Sequence, residues 1–111
     1  MKNVRLLTSI AAGSFLLSAT ALAQEVDKKA ERAWKAKCAS CHGQTGKGDT
    51  DKGKELKIVD MGTAAFQAKK DDELKRAILE GMEKEKSHSF KSELTPEQVD
   101  ALVAYIRMFK K

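Results

Sequence analysis

Five consecutive residues carry chemistry that the rest of the chain must serve: Cys38-Ala39-Ser40-Cys41-His42. Two thiols three positions apart, followed at once by an imidazole, form the attachment signature for c-type haem. Each thiol can form a thioether with one of the two haem vinyl groups. The histidine is then held beneath the ring, where it can bind the iron. Two rival readings use the same residues. A thioredoxin-like redox pair or a disulfide needs only Cys38 and Cys41. It leaves His42 without a task, and the chain has no βαβ pattern to carry it. A zinc site is weaker, because the whole chain holds 2 Cys and 2 His. Adjacent Cys41 and His42 would also fit a tetrahedron awkwardly.

The start of the chain points to export. Lys2 and Arg5 form a positive region, Leu6 to Leu17 is mostly apolar, and Ala21-Leu22-Ala23 offers a small-residue cleavage site. This is the pattern of a secretory signal peptide over 1–23, short for a membrane span. The expected mature domain, 24–111, is then one domain of about 88 residues. The leader directs the protein to the periplasm, an oxidising compartment. A polypeptide core of that size is marginal, so a buried haem would complete it. The 21 basic and 16 acidic residues give a formal charge of +5, and loss of Lys2 and Arg5 lowers it to +3. That mild excess, with no basic stripe interleaved with aromatics, does not argue for nucleic acid.

The elements that must position the motif read as helices. Val26, Ala30, Ala33, Trp34 and Lys37 recur at helical spacing, predicting a helix from Asp27, as N-cap, to Ala39. Ala30 and Trp34 share its inward face. Gly43 to Gly53 reads as a glycine-rich loop able to lie close to a flat ligand. It is no phosphate loop, because it lacks the Gly-Lys-Ser/Thr ending and a preceding strand. Leu56, Ile58 and Val59 are expected to cover one haem face. Gly62 to Ala68 holds a short helix with Phe66 inward. Asp71 or Asp72 caps a helix with the stripe Leu74, Ala77 and Ile78, ending at Gly81. After a polar loop over Met82 to Ser92, Thr95, Pro96 and Gln98 form a capping box. Val99, Leu102, Val103 and Ile106 make the last apolar stripe, flanked by Tyr105 and Phe109.

This arrangement resembles a small class I cytochrome c over essentially all of 24–111. The resemblance rests on Ala30-x-x-x-Trp34, Cys38-Ala-Ser-Cys41-His42-Gly43, Ile78-Leu-Glu-Gly81, and Phe90-Lys-Ser-Glu-Leu-Thr-Pro-Glu running into Leu102-Val-Ala-Tyr105-Ile. It implies an all-α, cytochrome c-like fold around one covalently attached haem c, with its iron. It also implies that the first and last helices cross, Ala30 and Trp34 meeting Leu102 and Tyr105.

The family usually supplies a methionine as second axial ligand before the last helix. Aligned on Phe90 and Leu94, this chain has Ser87 there and His88 in the next position. His88 is one contender, since imidazole binds haem iron readily. Met82, five residues earlier than usual, is the other. Met61 is expected in the core and Met108 in packing. Methionine would raise the reduction potential relative to two imidazoles. The resemblance implies a periplasmic single-electron carrier and not an enzyme. Its partners would be redox proteins, including membrane complexes met by peripheral contact, and the protein itself a monomer. Lys47, Lys52, Lys84, Lys86 and Lys91 would steer an acidic docking face. The alternative from Ser87 is a haem sensor or peroxidase-like protein with an open sixth position.

Overall fold

The computed structural model describes residues 28–82 and 88–111. The expected leader, Val26, the expected Asp27 cap, Lys84, Lys86 and Ser87 lie outside the described residues. Six α-helical segments and no β-strand form within them: α1 (28–37), α2 (Ala39–His42), α3 (Asp51–Glu55), α4 (Ala64–Gln67), α5 (Asp71–Glu80) and α6 (Pro96–Arg107). The chain is therefore all-α, as its apolar periodicity predicts.

The first helix departs from its expected end. It stops at 37, Cys38 turns with φ −120° and ψ −40°, and α2 resumes at Ala39. Hydrogen bonding continues across the bend, with Cys38 N donating to Trp34 O (2.8 Å) and His42 N to Cys38 O (2.9 Å). The motif is thus carried on its own short turn.

The glycine-rich segment is also more ordered than a loop. Thr50 caps α3, its hydroxyl accepting from Gly53 N at 2.9 Å. A Thr cap followed by an acid is a helix start that the surrounding glycines conceal. Gly53 sits inside α3 because the backbones nearly touch there. A Cβ on it would collide with the carbonyl oxygens of Cys41 and Gly48. Leu56 and Val59 are not among the residues packed on the chain's own apolar core. They follow α3 with 48% and 62% exposure, and only Ile58 turns inward, tied by its N–H to Gly53 O at 2.9 Å.

In α5 the N-cap is Lys70, not Asp71 or Asp72. The acids Asp71, Asp72 and Glu73 instead fill the first turn, where the helix dipole favours them. In α6 the capping box forms as read: Gln98 N donates to Thr95 Oγ1 (3.2 Å) and Thr95 N to Gln98 Oε1 (2.8 Å). Met108 does not pack; it is 64% exposed because it falls off the Val99–Leu102–Val103–Ile106 stripe. Phe109 takes the packing role.

The core gathers where α1 crosses α6. Trp34, Leu102 and Val99 are its largest fully buried side chains, and Ala30 and Met61 are also buried. Trp34 lies 5.9 Å from the Tyr105 ring centroid and 5.0 Å from that of Phe109. Arg107 secures the far end. Its guanidinium donates to Gln67 O (3.0 Å), Lys69 O (2.6 Å) and Asp71 Oδ1 (2.7 Å). Gln67 Nε2 in turn donates to Met61 O and Ile106 O, so a carbonyl near the end of α6 is satisfied from α4.

Candidate functional site

The short helix α2 carries Cys41 and His42, and the bend before it carries Cys38. Three contacts fix this turn from outside. Thr50 Oγ1 donates to Cys41 O at 3.0 Å, joining the start of α3 to the motif. Gly48 N donates to His42 O at 2.8 Å. Trp34 Nε1, deep in the core, donates to Gly43 O at 3.0 Å. The indole also backs the His42 ring, with centroids 5.7 Å apart.

Across from His42 stands His88. Their ring centroids are 5.8 Å apart and their planes meet at 71°. Phe90 stands edge-on behind His88, 5.4 Å away at 81°. The Nδ1 atoms of both histidines are buried without a hydrogen-bond partner. Such orphaned nitrogens are rare in a folded protein and mark a place where something else binds. Burial, with the charge of His88 as the smaller cause, pushes His42 down to about 4. Its imidazole is therefore neutral near pH 7, the form that binds a metal.

The thiols are also in a form suited to attachment. Both cysteines are free. Burial pushes the Cys38 thiol up to about 11, against the opposing charge of Lys37 and with Cys41 adding slightly. A redox-active or metal-binding thiolate needs the opposite shift. Surroundings that favour an uncharged sulfur suit a thioether.

These residues fit a haem. A metal–imidazole nitrogen bond is about 2 Å long, so two imidazoles on opposite sides of one ion hold their centroids about 6 Å apart. The His42–His88 separation meets that requirement. Met82, just after α5, is 62% exposed, and Met61 is 8% exposed in the core. Lys47, Lys52 and Lys91 are exposed, Lys52 lying 3.8 Å from Glu55. Ser89 and Phe90 went unread as part of the site in the sequence; their adjacency to His88 was the available signal.

Fold and site together define a small c-type cytochrome. Residues 25–106 match the family described as cytochrome C oxidase, cbb3-type, subunit III, and the chain belongs to that family. The solved structure of KustC0563, a c-type cytochrome, is 37% identical, with a TM-score of 0.67 over 74% of this chain and 98% of that one. No curated protein matches the chain. Membership implies covalently bound haem c with its iron, a role in electron transfer, and redox proteins as partners. No helix among the described residues is long and apolar enough to cross a membrane.

Proposed function

We propose that this protein is an exported monohaem cytochrome that carries single electrons between redox proteins, with two histidines as its axial ligands. The observation that carries the reading is the pair of partly buried imidazoles facing each other at 5.8 Å. Cys38 and Cys41 tether the haem through thioethers, His42 is the proximal ligand, and His88 takes the sixth position in preference to Met82. When bound, the haem iron supplies reversible one-electron chemistry between its ferric and ferrous states.

The chain's own residues make that chemistry selective. Trp34 and Phe90 wall the two imidazoles. Ligands held on both faces leave little to rearrange when an electron arrives, and no substrate bond is made or broken. Two imidazoles place the potential below that of a histidine–methionine centre. Cleavage after Ala23 releases the domain 24–111 into the periplasm as a monomer. There Lys47, Lys52, Lys84, Lys86 and Lys91 guide an acidic partner, including membrane complexes met peripherally.

The test is an absorption spectrum of the purified, exported protein in both oxidation states. We expect a sharp low-spin ferrous spectrum whose haem resists solvent extraction, with no long-wavelength methionine–iron band in the ferric form. An extractable haem would overturn covalent attachment. A methionine band would overturn His88, and a high-spin ferric spectrum would favour the open-site alternative.

A further inference from the structure

The segment after His88 is fastened to the end of α5, and the fastening uses groups that helix leaves unpaired. An α-helix ends with four carbonyls lacking intrahelical donors. Here Phe90 N donates to Ile78 O at 3.0 Å, and Ser89 Oγ donates to Leu79 O at 2.5 Å. Gly81, with φ +75°, turns the chain away so that those carbonyls are open to capture. On the other side, Phe90 O accepts from Glu93 N and Leu94 N, both at 3.0 Å, and Leu94 is buried. His88 is thus followed directly by two residues locked to helix and core.

His88 itself has no such lock. Its Nδ1 is buried without a hydrogen-bond partner, so the protein sets the ring through the segment that carries it and through packing. What touches the ring edge-on is Phe90, at 81°. We propose that Ser89 and Phe90 are positioning residues: Ser89 fixes how far His88 stands from His42, and the Phe90 ring fixes its plane. This rests on His88 being the sixth ligand. An imidazole held this way lets go of iron rarely, and its plane relative to the His42 plane sets the magnetic anisotropy of the ferric ion.

The test compares Ser89→Ala, Ser89→Thr, Phe90→Leu and Val99→Ala in the haem-loaded protein. The readouts are ferric electron paramagnetic resonance and the rate of carbon monoxide binding to the ferrous form. Ser89 is on the surface and Phe90→Leu keeps an apolar side chain, so both variants retain the core. Val99→Ala loosens the core under α6 without removing any hydrogen bond of Ser89 or Phe90, and reports a general packing defect. We expect S89A and F90L to shift the g values. Loss of one hydrogen bond should speed carbon monoxide binding about 5-fold. S89T should restore the native values and V99A should keep them. A native protein without a bis-imidazole signal would overturn the ligand assignment itself. A native bis-imidazole signal that S89A and F90L leave unchanged would overturn only the positioning role, as would equal shifts in V99A.

Discussion

Replacing Trp34 by Phe isolates what one core residue does for the Cys38–His42 turn. The indole is 1% exposed and makes one polar contact, from Nε1 to Gly43 O at 3.0 Å. The smaller ring leaves a cavity of about 40 Å³, which at about 24 cal/mol per Å³ costs about 1 kcal/mol. Loss of the hydrogen bond adds about 1 kcal/mol rather than the upper end of the usual range. The reason is that Gly46 N also donates to Gly43 O, at 3.3 Å, so the carbonyl keeps a partner. The sum is about 2 kcal/mol, or a drop of about 8–16 °C in Tm for a domain of this size. Thermal unfolding of the haem-loaded protein, followed by circular dichroism, measures it. Denaturant unfolding should show a lower midpoint at an unchanged m value. A Tm within about 3 °C of the native value would refute the claim that Trp34 couples α1 to the motif turn.

Three further outcomes follow from the contacts described. Arg107→Ala should destabilise by about 1–2 kcal/mol, because its links to Gln67 O and Lys69 O are lost. Arg107→Lys should recover little, since an ammonium cannot span the same fork, and denaturant midpoints of the two variants would decide. Gly53→Ala should cost about 1–3 kcal/mol by driving α3 off the Cys41 and Gly48 carbonyls, read as a lowered unfolding midpoint. The Lys111 ammonium, then the Gly62 N–H, hold the Asp60 carboxyl below the usual aspartate range. Its folded pKa being lowered, the tether is present above that ordinary range and is lost as pH falls through the lowered value. Nuclear magnetic resonance titration should show this, and Asp60→Asn should abolish it.

Much of the candidate site was legible because its signals are local. Cys38, Cys41 and His42 carry their meaning in their spacing alone, and the capping box at Thr95 and Gln98 is closed within one turn. The apolar stripes of α5 and α6 follow from a period set by backbone geometry. Where local signals conflicted, the reading failed. Glycines at 48 and 53 read as loop, yet Gly53 is helical because α3 must nearly touch Cys41. Met108 is apolar and exposed, since hydrophobic type alone does not say which way a residue at a helix end will face.

By itself, then, the sequence determined an all-helical chain with a thiol–thiol–imidazole site, since each of those features is written in residues a few positions apart. Tertiary structure decided what stands opposite His42. Sequence spacing left His88 and Met82 as rivals. In the fold, Ser89 and Phe90 are hydrogen-bonded to the last carbonyls of α5, and the His88 ring stands 5.8 Å from that of His42. That placement of His88 depends on long-range packing between segments far apart in the chain, which no local pattern encodes.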